Sequence, residues 1–209
     1  MADAAAYRTL AGRGESGFEI RGSTFLGYAR PAARVAEAEA FIEEIRAEHA
    51  DATHNVPAYR VREPSGSGHL LREYQSDDGE PSGSSGKPAL NVLVQEDLEN
   101  VVVVVSRYFG GTELGVGGLA RAYSKAVKGA IDDAGTVEER PQERFAVRVA
   151  YDDSGTVRGI LESAEATFEA EYAESVTFAV TVAAADGADL RDRIRSATSG
   201  RAHIDRKGS

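Results

Sequence analysis

The sequence predicts an α+β protein of two domains, residues 1–137 and 138–209, the second with a ferredoxin-like fold. Strand and helix patterns stop at a polar run that contains a proline, residues 135–142, and start again after it. Polar runs of this kind are typical of domain boundaries. After the run, the order of the patterns is strand, helix, strand, strand, helix, strand, which is the ferredoxin-like order.

The first domain contains alternating strand and helix patterns. Strands are predicted at residues 18–30, 56–62, 70–75 and 101–105, the last of them an apolar run buried on both faces. Apolar residues at helical spacing predict helices at residues 35–49, 88–98 and 119–134. Residues 76–86 are turn formers and charged residues, so we expect a loop there.

The second domain shows the same two kinds of pattern. Strands are predicted at residues 144–151, 167–172, 175–183 and 201–206, and helices at residues 156–166 and 188–196. Residues 173–174 separate two of these strands as the tip of a hairpin. No reactive or ligand-binding residue types gather in this part of the sequence, so we expect an accessory or docking domain.

Composition excludes several classes of protein. The chain contains no cysteine, which excludes disulfides, thiolate catalysis and cysteine-bound zinc. No apolar run approaches the length of a membrane span and the first residues lack a signal-peptide pattern, so we expect a cytoplasmic protein with no membrane partner. The net charge of −10, with four lysines among 24 basic residues, predicts a halophilic protein and argues against broad, non-specific nucleic-acid binding.

The most informative segment is residues 107–128, RYFGGTELGVGGLARAYSKAVK. It follows a strand pattern, passes through five glycines and enters a helix, an order that exposes backbone N–H groups at a helix start. It contains one acid and four basic residues, which are Arg107, Arg121, Lys125 and Lys128. The segment indicates either an anion site, most often for phosphate, or a turn that packs a helix onto a strand, and the sequence leaves both open.

Three of these cations share one face of the predicted helix. Arg121, Lys125 and Lys128 are spaced four and then three residues apart, with no acid among them on that face. A charged face of this kind is either a solvated surface or a binding surface. Because acids exceed bases in the chain as a whole, we favour a binding surface.

Two further clusters precede this segment. His54 lies in a polar turn, residues 53–55, where it is either a hydrogen-bonding loop residue or a ligand-binding residue. Three carboxylates, Asp77, Asp78 and Glu80, occupy four positions of one loop. Such a group is typical of a structural turn, a hard-cation site or an acid–base pair, although its spacing is not that of a calcium-binding loop.

Three segments, THNVPAYR, DDGEPSGSSGKP and VVVVVSRYFGGTELGVGGLARAYSKA, resemble in order and spacing the signature segments of the IMPACT (YigZ-like) family. The resemblance covers residues 17–135. It implies a first domain similar to the ribosomal-protein-like α/β sandwich that also occurs in one elongation-factor domain. It further implies a ferredoxin-like second domain similar to the last domain of elongation factor G. Departures are mild: Ser84 and Ser85 stand where the family usually has Thr-Ala, and Val56 and Pro57 replace a pair that often contains cysteine.

The same resemblance implies a non-catalytic role in translation control or nucleic-acid contact. Eukaryotic members of the family restrain an initiation-factor kinase by binding the activator of that kinase. The implied partners are therefore RNA, the ribosome or a translation-regulatory protein. We expect no cofactor, no metal and no catalytic residue.

The motifs and the resemblance together predict one ligand-binding surface. Its residues are Thr53, His54, Asn55, Tyr59, Asp77, Asp78, Glu80, Arg107, Tyr108, Phe109, Gly110, Gly111, Gly115, Gly117, Gly118, Arg121 and Lys125. On this hypothesis Arg107, Arg121 and Lys125 contact phosphates. One of the aromatic residues Tyr59, Tyr108 and Phe109 stacks on a base.

Two alternatives remain open at this point. The first is a metal-dependent hydrolase or phosphoryl-transfer enzyme, in which the three loop carboxylates hold a cation and His54 acts as general acid or base. In that enzyme Arg107 or Arg121 neutralises the charge that develops on the substrate. The second is a scaffold without a ligand, in which the same arginines form ion pairs with the loop.

The acidic composition predicts that stability depends on salt. Excess carboxylates repel one another, and added ions screen that repulsion, so we expect the melting temperature to rise between millimolar and molar potassium chloride. Thermal unfolding followed by circular dichroism measures this effect. An unchanged melting temperature would contradict the proposed high-salt adaptation.

Overall fold

The computed structural model describes residues 6–65 and 68–206. One compact unit comprises Tyr7–Glu139, and the other comprises Ala6 together with the described residues from Arg140 onward. Both units combine helices with antiparallel sheets, which confirms the predicted α+β class.

The first unit is built around a five-stranded antiparallel sheet of order β2-β3-β6-β4-β5, with a separate pair formed by β1 and β7. Its strands are β1 (Tyr7–Leu10), β2 (Gly14–Ile20), β3 (Ser23–Pro31), β4 (His54–Ser65), β5 (Gly68–Gln75), β6 (Val101–Tyr108) and β7 (Thr136–Glu139). Its helices are α1 (Val35–Glu48), α2 (Gly86–Gln95) and α3 (Gly115–Ala134).

Strand β6 is the centre of the first unit because both of its faces are apolar. Five consecutive valines begin this strand, and successive side chains of a strand point to opposite faces. Val103 and Val105 pack in the cluster that contains the buried residues of α2 and α3. Val102 and Val104 pack with α1 on the other side. The sheet is therefore covered by helices on both faces.

Helix α3 packs closely on the sheet through the predicted apolar stripe. The stripe residues Leu119, Ala122, Tyr123, Ala126, Val127, Ala130 and Ile131 are all buried. Strand β3 approaches the helix at Gly27, where an added Cβ would lie 2.5 Å from the backbone oxygen of Ala126. Ser16 on the neighbouring strand donates a hydrogen bond of 2.7 Å to that same oxygen. Glycine at position 27 thus allows helix and sheet to approach.

The second unit has the ferredoxin-like topology that the sequence predicted. Its elements are β8 (Gln142–Val149), α4 (Tyr151–Ser163), β9 (Thr167–Tyr172), β10 (Val176–Ala183), α5 (Ala184–Ala197) and β11 (His203–Arg206). The sheet order is β11-β8-β10-β9, with every neighbouring pair antiparallel. Apolar side chains of β8 and β10 form one core with those of α4 and α5.

Helix α1 begins at Val35 as predicted, whereas the other four helices begin earlier than the sequence patterns predicted. Helix α2 starts at Gly86 rather than 88, α3 at Gly115 rather than 119, α4 at Tyr151 rather than 156, and α5 at Ala184 rather than 188. These first turns are rich in glycine, alanine, aspartate and serine. A helix is predicted from a stripe of apolar residues at helical spacing, and these residues do not extend that stripe.

The polar run at residues 135–142 contains a strand, β7, which was not predicted. All four residues of β7 are exposed, so the strand lacks the apolar alternation that marks a half-buried strand. Its pairing with β1 holds Thr136–Glu139 in the first unit, and the division between the two compact units falls between Glu139 and Arg140. Within the described residues, no helix is long and apolar enough to cross a membrane.

The contact at Gly27 yields a stability prediction. Gly27→Ala places a methyl group against backbone of α3, so we expect a loss of about 1–3 kcal/mol in the free energy of unfolding of the first unit. Gly17→Ala is the matched control, because its added Cβ meets only the end of the flexible Leu26 side chain, at 3.2 Å. Urea unfolding of the two variants measures the difference. Equal stability of the two variants would show that the helix shifts at little cost.

Candidate functional site

A cleft of about 420 Å³ lies where strands β4 and β6 meet the start of α3. His54 and Arg107 are direct partners in the antiparallel register of β4 and β6, which is why residues far apart in sequence lie side by side. The predicted residues that line the cleft are Thr53, His54, Glu80, Arg107, Phe109 and Gly115. The cleft is completed by Gly79, Pro81, Glu113, Leu114, Val116 and Leu119.

The floor of the cleft is a buried ion pair between Arg107 and Glu80. Arg107 Nη1 donates to Glu80 Oε1 at 2.6 Å, and the Tyr123 hydroxyl donates to the same oxygen at 2.7 Å. The side chains of Arg107 and Glu80 are only 6% and 3% exposed. Burial raises the pKa of Tyr123, and the hydrogen bond to the Glu80 carboxylate raises it further, so the phenol stays protonated and donates.

Arg107 is held as a structural cation, which corrects its predicted role as a free phosphate contact. The centre of its guanidinium lies 5.4 Å from the ring centroids of both Phe25 and Phe109, and its charge is neutralised by Glu80. Nη2 is 3.4 Å from the Ser23 hydroxyl. Nε is buried and has no hydrogen-bond partner among the described residues. The guanidinium is thus enclosed by protein.

His54 presents a hydrogen-bond acceptor to the cleft. Its Nδ1 lies 2.6 Å from the backbone oxygen of Asp78. A carbonyl oxygen can only accept, so Nδ1 carries a proton, and the tautomer of the neutral ring that fits this contact has its lone pair on Nε2. Nε2 lies 3.8 Å from Glu80 Oε2, and His54 and Glu80 both line the cleft.

Asp77 organises the loop that leads into α2. Its carboxylate accepts hydrogen bonds from the backbone N–H groups of Gly83, Ser85 and Gly86 and from the Ser85 hydroxyl, at 2.7–3.1 Å. Burial raises the pKa of Asp77, but these hydrogen bonds together outweigh burial and hold the pKa below its usual value of 3.8. Asp77 is therefore a structural carboxylate at the start of α2.

The three loop carboxylates point to different partners. Asp78 Oδ2 accepts from the backbone N–H of Asn55 at 2.6 Å, and its Oδ1 lies 3.7 Å from Arg46. Glu80 is paired with Arg107, and Asp77 faces the loop backbone. In the described part of the chain, no group of three or more histidine, cysteine, aspartate or glutamate residues is placed to hold a metal ion. Each of the three carboxylates therefore engages a different part of the structure.

Four of the predicted site residues have structural contacts. Asn55 donates to the His49 backbone oxygen at 3.0 Å and accepts from the Ser106 hydroxyl at 2.6 Å. Thr53 Oγ1 accepts from the Phe109 backbone N–H at 2.9 Å. The hydroxyl of Tyr108 contacts His49 and Asp51.

Tyr59 is buried in the core beside α1 and stacks on Tyr74, so it does not reach the cleft. Of the three candidate stacking residues, only Phe109 is both exposed and in the cleft.

The glycine-rich segment forms a loop and then the first turn of α3. An added Cβ on Gly110 would lie 1.9 Å from the carbonyl carbon of Gly22, so only glycine fits at this contact. Gly111 lies in the exposed loop, whereas Gly115, Gly117 and Gly118 belong to the helix itself. No side chain caps the start of α3, which leaves the backbone N–H groups of its first turn available to a ligand.

Arg121 and Lys125 do not line the cleft. The residues predicted to form one ligand-binding surface therefore line two separate pockets. Arg121 and Lys125 line a groove of about 890 Å³ between β2, α2 and α3. The other groove residues are Ser16, Gly17, Phe18, Pro88, Asn91, Val92, Gln95, Ala120, Ser124, Lys128, Gly129 and Asp132. Arg121 bends back toward the helix start, since its Nη1 lies 3.5 Å from where a Cβ on Gly117 would be.

The cations of the groove lack acidic partners. Among the described residues, none of Arg121, Lys125 and Lys128 forms an ion pair. Lys125 Nζ lies 4.2 Å from the ring centroid of Phe18, a cation–π contact. The predicted alternative in which the arginines pair with this loop applies to Arg107, which pairs with Glu80, but among the described residues it does not apply to Arg121.

Several groove residues were not in the predicted site. Lys128 belongs to the charged helix face and could have been included on spacing alone. Asn91 and Gln95 stand four residues apart on α2, which places two amides on one face of an otherwise apolar helix. Phe18 gave no signal in the sequence, because its place beside α3 depends on the packing of β2.

Comparison with known proteins follows the division into two units. The family model of the Impact N-terminal domain matches residues 21–131, and a domain of unknown function, DUF1949, matches residues 147–201. The chain belongs to the IMPACT family. The IMPACT family member YvyE of Bacillus subtilis is 33% identical over 95% of this chain and 89% of its own length.

Two solved structures extend the comparison. A crystal structure described as that of a hypothetical protein has 27% identity and a TM-score of 0.65, and the match covers 98% of both chains. The structure described as the two-domain translational regulator Yih1 has 28% identity and a TM-score of 0.38, covering 61% of this chain and 47% of the Yih1 chain.

The buried pair at the cleft floor yields a stability prediction. Glu80→Gln keeps an acceptor for Arg107 and Tyr123 but leaves the buried guanidinium without a counter-charge. We therefore expect a loss of about 3–5 kcal/mol in the free energy of unfolding of the first unit. Glu113→Gln is the matched control, because Glu113 lines the same cleft but is exposed, and it should change stability by less than about 0.5 kcal/mol. Similar urea midpoints for the two variants would show that the pair contributes little.

Proposed function

We propose that this member of the IMPACT family is a non-catalytic binding protein that acts in translation control and contacts RNA through the groove between α2 and α3. The observation that carries the proposal is the set of cations without acidic partners, Arg121, Lys125 and Lys128, which lines this groove in a protein of net charge −10.

The charge of the groove supports an anionic partner. It contains two of the four lysines of the chain, and Asp132 is the one acid among its lining residues. Elsewhere in the first unit, arginines such as Arg13, Arg34 and Arg46 lie within ion-pair distance of glutamates. The groove therefore gathers three cations that form no ion pair among the described residues, which favours phosphate groups as the ligand.

Polar side chains opposite the cations support RNA in particular. Asn91 and Gln95 on α2 face the groove, and amide groups can donate to and accept from sugar hydroxyls and base edges. Helix α3 begins at the neighbouring cleft, where its N-cap residue makes no side-chain hydrogen bond to the first N–H groups, and such groups bind phosphate oxygens well. The surface thus offers charge for the backbone and hydrogen bonds for the sugar and base.

The role in translation rests on family membership. The relative Yih1 is described as a translational regulator, and the resemblance of the sequence implies domains similar to those of ribosomal proteins and elongation factors. A non-catalytic role is supported by the loop carboxylates, which face three separate partners: Asp77 faces loop N–H groups, Asp78 faces Asn55 and Glu80 faces Arg107. A protein of this function acts in the cytoplasm, where the ribosome is located.

Arg121→Ala tests the groove directly. Loss of a charge-assisted contact to one phosphate should weaken binding of single-stranded RNA by about 1–3 kcal/mol. It should also lower the slope of log K against log salt by about one. Lys125→Ala should cost less, because Lys125 is one turn further from the helix start and contacts Phe18.

The control for this experiment is Arg34→Ala. It removes the same charge from a side chain that is 79% exposed at the start of α1, on the opposite face of the sheet. Fluorescence anisotropy with a labelled oligonucleotide measures binding, and thermal melting of each variant confirms folding. Equal loss of affinity in Arg121→Ala and Arg34→Ala, or no loss in either, would refute the groove as the RNA site.

A further inference from the structure

We propose that the cleft at the start of α3 receives one unpaired base of the bound RNA and selects a base that carries an exocyclic amino group. This inference rests on the proposed function, because the groove supplies the binding of the RNA backbone. The cleft adds a preference among bases, which the groove by itself does not provide.

The shape of the cleft fits an inserted base. Its volume of about 420 Å³ is within the range of small-molecule pockets, and apolar side chains form its mouth. Phe109 is 47% exposed and Val116 is 58% exposed, which is unusual for large apolar side chains. The Arg107 guanidinium lies against the ring of Phe109, and the buried pair with Glu80 holds that guanidinium in place. A base can therefore stack on a ring that is already supported.

The polar floor of the cleft offers acceptors. His54 Nε2 has its lone pair free because Nδ1 donates to the Asp78 carbonyl. Glu80 Oε1 accepts from Arg107 and Tyr123, while Oε2 lies 3.8 Å from His54 Nε2. Among the described residues, neither Nε2 nor Oε2 has a hydrogen-bond partner, although the Glu80 side chain is only 3% exposed.

Two neighbouring acceptors select a ligand with two donor hydrogens. The amino groups of cytosine and adenine each present two N–H bonds, whereas uracil has a carbonyl oxygen at the position of the cytosine amino group. A carbonyl oxygen facing His54 Nε2 and Glu80 Oε2 would leave all three acceptors unpaired, which is unfavourable in a buried site. The cleft should therefore prefer cytosine over uracil, two bases of the same size.

The first turns of α3 connect the cleft to the groove. Gly115 and Val116 line the cleft, and Ala120 and Arg121 line the groove, a rise of about 9 Å along the helix axis from Gly115 to Arg121. Gly117 and Gly118, which have no side chains, lie between them in sequence. A single strand can therefore pass over the helix start, with its phosphates near the N–H groups and Arg121 and one base in the cleft.

The test compares oligocytidylate with oligouridylate of equal length, by fluorescence anisotropy on the full chain. The unaltered protein should bind oligocytidylate about tenfold more tightly. His54→Asn should reduce the ratio of the two affinities, because it removes one of the two acceptors while Glu80 Oε2 remains. An asparagine amide can still donate to the Asp78 carbonyl, but it does not supply the acceptor at Nε2. Phe109→Ala should weaken binding of both oligomers, and Arg34→Ala should leave both unchanged.

The possible outcomes separate this inference from the proposed function. Equal affinity of the unaltered protein for the two oligomers, with both weakened by Arg121→Ala, would overturn the base-selecting cleft and leave the groove proposal standing. A cytosine preference of unchanged size in His54→Asn would also overturn the cleft, because the acceptor at His54 would then contribute nothing to it.

A second arm uses cytidine and uridine monophosphates. If neither oligomer binds but cytidine monophosphate binds in preference to uridine monophosphate, and His54→Asn reduces that preference, the cleft is a nucleotide site and the RNA proposal is wrong. If neither oligomers nor mononucleotides bind, both proposals are wrong and a protein partner is the remaining ligand class. Melting curves for His54→Asn and Phe109→Ala confirm that each variant is folded.

Discussion

The arrangement of the first unit depends on the buried ion pair between Arg107 and Glu80. It joins the central strand β6 to the loop that precedes α2, and the hydroxyl of Tyr123 attaches α3 to the same carboxylate. Removing two charges from water costs several kcal/mol for each ion, so the pair is tolerated only because each partner is neutralised and hydrogen-bonded. The main effect of the ion pair is to fix the positions of the elements that it joins. With Arg107 held between Phe25 and Phe109, the loop after β6 and the start of α3 have one defined place.

This constraint separates two kinds of charge that look alike in sequence. Arg107 and Arg121 belong to the same glycine-rich segment, yet Arg107 is enclosed and neutralised while Arg121 lies in the groove without an acidic partner. The carboxylates of the neighbouring loop are likewise occupied, Asp77 by backbone N–H groups and Asp78 by Asn55. The loop therefore works as a rigid wall of the cleft. Arg121, Lys125 and Lys128 lie together in the groove, and among the described residues none of the three forms an ion pair.

Much of the fold could be predicted because local apolar spacing reports which face of an element is buried. The ferredoxin-like order of the second unit and the apolar stripe of α3 both follow from spacing alone. Predictions were wrong where no apolar side chain marks the element. Strand β7 is exposed along its whole length, and the first turns of α2 and α3 contribute glycine, lysine and small residues to the surface. Backbone hydrogen bonds define these elements, and they leave no periodic signal.

The sequence by itself determined the class, the order of the elements in the second unit, the family and the residue types that gather near the start of α3. Only the tertiary structure decided which of those residues face each other. The partner of Glu80 is Arg107, 27 positions away, because the register of β4 and β6 places His54 opposite Arg107 and the loop closes over both. Tyr59 turned toward α1 because strand residues alternate between faces, and Arg121 turned toward α2 because helix residues are distributed around an axis. Charge pairing depends on distances of a few ångströms, and only packing between elements distant in sequence sets those distances.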